Sequence, residues 1–128
     1  MRIGVDSRPD KEKLKNLEEN TVLWTAEYDA GSGTVTGLPL LFRGYIKAPS
    51  KSEEAGVWGK VVDAVKNSDG TYSAVLISDG KDSEPKESTH VTDLSIGVWF
   101  NPKDAIVAFK AEMEKVVKAC DEAIKEYE

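Results

Sequence analysis

The chain has 128 residues, a net charge of −6, a hydrophobic share of 40% and a charged share of 31%. That length fits one domain with a real core, and the mixture is too apolar for disorder and too charged for a membrane span. No apolar run of about 18 residues occurs, and with Cys120 as its one cysteine the chain cannot close a disulfide on itself.

The N-terminal residues turn polar after Val5 and lack the apolar stretch of a signal peptide. Together with the lone cysteine, this makes the cytoplasm the expected compartment. The acidity is spread along the chain, which favours solubility and disfavours phosphate-rich partners.

In chain order, Pro9 to Glu19 predicts a short helix over residues 8–19, with Ser7 as its N-cap and Leu14 and Leu17 as its only apolar anchors. Thr21 to Tyr28 alternates, with Val22, Trp24, Ala26 and Tyr28 on one side, as a half-buried strand does. Asp29 to Gly33 is a turn. The chain returns from Thr34 through Ile46, and Pro39 marks an edge, bulge or break.

Val57 to Lys66 and Thr71 to Ser78 read as strands joined at Asn67-Ser68-Asp69-Gly70, a strong hairpin signal. A second Asp-Gly, at Asp79-Gly80, opens a charged loop. His90 to Phe100 alternates again, with Leu94, Ile96, Val98 and Phe100 facing one way.

The last element is the clearest. Asn101-Pro102-Lys103-Asp104 supplies an N-cap, a proline at the first helical position and an acid in the first turn. From there Ile106, Phe109, Met113, Val116, Cys120, Ala123 and Tyr127 recur three and four apart, and Val117 and Ile124 widen the stripe. A helix over 102–127 is longer than a small sheet can cover. One end is therefore expected on its own sheet and the other on a partner; the same spacing also describes a coiled-coil seam.

The expected fold is α+β in one domain over 1–128. A β-rich region (21–100), either an antiparallel β-meander or a small SH3/OB-like barrel, stands between the short N-terminal helix and the long C-terminal amphipathic one. Residues 57–94 resemble the strand and turn order of SH3-like and Tudor-like modules, through Trp58-Gly59-Lys60-Val61-Val62, Asp69-Gly70-Thr71-Tyr72 and Asp79-Gly80.

Motifs that would carry chemistry are thin. Gly31-Ser32-Gly33-Thr34-Val35-Thr36-Gly37 places its third glycine one position late for a dinucleotide fingerprint, and Leu38-Pro39 follows where a helix is needed. His90 and Asp93 would point to opposite faces of one strand. Cys120 lies in the helix stripe and is expected to be a buried small apolar group, not a nucleophile. Asp79, Asp82 and Glu84 lack the oxygen spacing of a calcium loop. No catalytic residue, cofactor or metal is expected.

By elimination the expected function is non-enzymatic protein–protein binding by a small accessory or regulatory protein, of the kind viruses and phages use as inhibitors, and self-associating. The candidate contact residues are Tyr45, Trp58 and Tyr72, with Met113, Val117, Cys120, Ile124 and Tyr127 on the helix. The alternative is a single-stranded nucleic-acid-binding OB-like module. Its face would be residues 42–66, where five basic groups (Arg43, Lys47, Lys51, Lys60, Lys66) outnumber three acids among aromatic residues.

Overall fold

The computed structural model describes residues 11–78 and 84–128. Ser7 and Pro9, and the turn and acids at Asp79, Gly80 and Asp82, lie outside the described residues.

Strands β1 (Val22–Asp29) and β2 (Thr34–Tyr45) form an antiparallel hairpin in register from Val22↔Leu41 to Asp29↔Thr34. Asp29 closes its turn by accepting from the Gly33 N–H at 2.8 Å and, through Oδ1, from the Gly31 N–H at 2.9 Å. Gly33 has φ 70°, a conformation glycine adopts without a Cβ clash. Trp24 exchanges backbone hydrogen bonds with Trp99, outside the hairpin, so Pro39 opposite it faces away from β1. On that far side β2 meets its next neighbour only from Leu40 onward. The missing proline N–H therefore falls where no ladder partner stands.

The centre of the sheet is β3 (Trp58–Lys66). One edge pairs with β2; the other pairs in tandem with β4 (Tyr72–Ala74) and with β7 (Thr89–Asp93). The expected 71–78 strand is split at Val75, whose N–H donates to the Asp63 carbonyl. Beyond it β5 (Leu76–Ile77) pairs, among the described residues, only with β6 (Lys86–Glu87).

The strand expected over 90–100 stops at Asp93. The Asp93 carboxylate accepts from Ser95 N at 3.0 Å and from Val57 N at 3.2 Å, a cap that starts the helical turn α2 (Leu94–Gly97). The chain then crosses to the outer edge of β1, where Trp24↔Trp99 is a single bridge. Asn101 begins the last helix at once, leaving too few residues to continue the ladder. The meander expectation holds, and the sheet does not close into a barrel.

At the N-terminal end, the helix expected over 8–19 is, within the described residues, one turn, α1 (Lys11–Leu14). The Tyr45 hydroxyl ends it by donating to the Leu14 carbonyl and accepting from the Leu17 N–H. Two apolar anchors do not carry the helix past Leu14 against that competition.

Because successive residues of a strand face opposite ways, each side of the sheet has its own core. Leu23, Leu40, Phe42 and Val61 join Leu14, Leu94 and Val98 on one face; Leu41, Val62 and Ala64 gather Val22, Tyr72 and Ala74 on the other. The final helix, α3 (Pro102–Lys125), lies across β1 and β2. Its N-cap is as expected: Asn101 Oδ1 accepts from Asp104 N at 2.8 Å, and Asn101 Nδ2 donates to the Asp104 carboxylate at 2.7 Å.

Candidate functional site

Two places merit consideration, the projecting half of α3 and a cleft around Arg43. In α3 the buried residues are Ala105 and Ala108, with Ile106, Val107, Phe109 and Ala111 half-buried. From Glu112 to Glu128 every residue is exposed, Cys120 included, which was expected to be buried but lies where the helix has run past the sheet. At about 100° per residue, the stripe of Met113, Val116, Cys120 and Tyr127 lies roughly a quarter-turn round from the alanines. The helix thus rests on its sheet through small side chains and leaves its large apolar ones beside that contact. Val117 is 61% exposed, Ile124 56% and Tyr127 90%, while Lys115 pairs with Glu112 at 3.1 Å and Lys125 with Glu122 at 3.5 Å, each one turn back.

The cleft has a volume of about 600 Å³ and is lined by Val22, Leu41, Tyr72 and Ala74 below a polar rim of Asn20, Arg43, Thr71 and Glu87. Arg43 reaches it because it is the extra residue of a bulge: Phe42 pairs with Val61 and Gly44 with Lys60, so nothing stands opposite residue 43. Its side chain is 20% exposed, and the guanidinium donates to the Glu87 carboxylate and to Asn20 Oδ1, with Glu19 at 4.0 Å. Asn20 holds that position at φ 72°, an uncommon backbone for a residue with a side chain. Arg43 Nε is buried without a hydrogen-bond partner among the described residues. One cation between two carboxylates leaves no spare positive charge for an anionic ligand. The arrangement ties β2 to β6 and to the turn before β1.

The remaining expected site residues are separated. Tyr45 stands opposite Gly59 and Tyr72 opposite Lys66, at the two ends of β3 and about 20 Å of strand apart. Tyr45 packs edge-on against Phe42 and Tyr72 edge-on against Trp24, with centroids 4.8 and 5.8 Å apart. Trp58 is half-buried beside β7. Phe42, in the proposed stacking face of residues 42–66, is 2% exposed and belongs to the core.

His90 meets Asp63, not Asp93. Its Nε2 lies 3.1 Å from Asp63 Oδ2, and the Ser88 hydroxyl donates to the same oxygen at 2.6 Å. Burial would raise the Asp63 carboxyl, but the hydrogen bonds from Ser88 and His90 and the His90 charge outweigh it and hold it below its ordinary value. A nucleophilic relay needs histidine to stand between hydroxyl and carboxylate. Here the hydroxyl proton goes straight to the carboxylate, so Ser88 is not activated. Glu84 is exposed, and among the described residues no group of acids, histidine or cysteine could hold a metal.

Compared with protein-family models, with curated proteins and with solved structures, the chain gives no match.

Proposed function

We propose that the chain is a protein-contact module, a small accessory or regulatory protein in which the sheet holds α3 as a projecting rod whose apolar stripe seats on another polypeptide. One observation carries this reading: residues 112–128 are all exposed although Met113, Val116, Val117, Ile124 and Tyr127 share one side of the helix. Contiguous exposed apolar side chains rimmed by polar ones are the usual mark of an interaction surface.

Charge favours a protein partner over a lipid or nucleic-acid one. Residues 112–128 carry three lysines against six carboxylates, which repels anionic lipid and phosphate. The test is affinity capture from the native source with the intact chain and with a Val117→Glu/Ile124→Glu variant whose circular dichroism is unchanged. Proteins retained by the first and lost by the second support the reading. Identical retention by both removes it.

A further inference from the structure

We infer that the occupant of the stripe is a second copy of this chain, its α3 lying parallel and in register with the first so that Cys120 faces its counterpart across a two-fold axis. This rests on the protein-contact reading above and names the partner.

Area comes first. The exposed apolar side chains of the stripe offer about 500 Å² per copy, within the range of the largest patch a monomer tolerates. Two copies bury about 1,000 Å², at the small end of specific interfaces, which fits a reversible, concentration-dependent pair.

The seam comes second. Met113, Val116, Cys120, Ala123 and Tyr127 keep the three-and-four alternation that lets side chains of one helix enter the gaps of another. Tyr127 and Met113 bracket the smaller Cys120 and Ala123, so a close approach forms in the middle of the exposed segment.

Charge sets the direction. One flank of the seam carries Glu112, Ala119 and Glu126, and the other Lys110, Val117 and Ile124. Antiparallel helices set each flank against itself, which brings Glu112 against Glu126 twice. Parallel helices set one flank against the other, so Glu112 lies near Val117 and Ala119 near Ile124 of the mate. No like charges then meet at the seam, and Val117 and Ile124 lose water. Geometry permits the pair: the sheet lies a quarter-turn round from the stripe, so a two-fold axis places the two sheets on opposite sides of the helices.

Sedimentation equilibrium of the full chain, from ~1 μM to ~1 mM, spans the affinities such an area supports. The expected result is a reversible monomer–dimer equilibrium that strengthens with salt, because the acidic ends repel. Val117→Glu/Ile124→Glu should weaken it at least tenfold with unchanged circular dichroism, and Lys118→Glu, on the far side of α3, should not. Spin labels at position 128 of a Cys120→Ser/Glu128→Cys variant should lie within about 20 Å, since paired helix axes are about 10 Å apart.

A label separation of about 30 Å, the antiparallel offset at 1.5 Å per residue, overturns the pairing. So does a dimer indifferent to Val117→Glu/Ile124→Glu. A chain that stays monomeric while Cys120 alkylates as fast as in urea overturns the second copy and leaves the protein-contact reading standing. A monomer with Cys120 protected overturns both, because the stripe is then covered within the chain.

Discussion

Arg43 shows how much one residue can bind together. Its bulge aims a long cation into a half-dry cleft where it meets groups from the turn before β1 and from β6. Replacing it with methionine keeps the stem and removes both links. The expected cost is about 1–3 kcal/mol, read as a lower urea midpoint at constant m-value. Tyr45→Phe tests a second tie: without the hydroxyl, the Leu14 carbonyl and Leu17 N–H lose their shared partner, and a loss of about 1 kcal/mol is expected in the same assay.

Asp63 supplies a pH signature. Its carboxyl titrates below the ordinary range in the folded chain, so the unfolded chain binds the proton first as pH falls. Its contribution is complete above the unfolded carboxylate value, about 4, and fades as acid carries the pH down through the lower folded value. Melting temperatures from pH ~6 to pH ~2 should fall less steeply in Asp63→Asn than in the natural chain. None of these side-chain ties was legible beforehand. Arg43 and Glu87 are 44 positions apart, and local patterns do not encode which distant strands adjoin. The one local hint was Gly44, a residue that often marks a bulge.

Elements were far more legible, because periodicity and turn chemistry act over a few residues. The first hairpin, the Asn67–Gly70 turn and the capped start of α3 follow from the sequence alone. Two strands were read too long, each for an identifiable reason. After Val75 the chain leaves β3 for the β5–β6 pair, and Asp93 caps a helical turn in a stretch that alternates as cleanly as any strand. Capping by a mid-strand aspartate depends on which loop, here Val57, lies beside it. The long helix was foreseen with its stripe, but its docking through Ala105 and Ala108 was not, because alanine signals no particular face. Gly37 is the counterpart of that docking: a Cβ there would stand 2.7 Å from the Pro102 Cβ. Gly37→Ala should therefore cost about 1–3 kcal/mol through overpacking, with chemical-shift changes concentrated at the start of α3.

At the level of the whole molecule, the buried cores and the exposed half of the last helix occupy different stretches of chain. Every residue of the two cores precedes Asn101, and the last buried residue is Ala108. A chain ending at residue 111 should keep the sheet's near-ultraviolet circular dichroism and, at micromolar concentration, melt within about 4 °C of the intact protein, the shift that roughly 1 kcal/mol produces in a domain of this size. A larger fall would show that the rod supports the sheet.

The bridge at the edge of β1 has a practical consequence. Trp24 and Trp99 share both of its hydrogen bonds, at 2.7 and 2.8 Å, and they are two of the three tryptophans in the chain. Detachment of the segment bearing α3 would change the surroundings of both half-buried indoles in one step, Trp24 keeping its contact with Tyr72, while the strands remain paired. Ultraviolet-excited emission is thus an optical gauge of that clasp, able to register its release before the sheet itself melts.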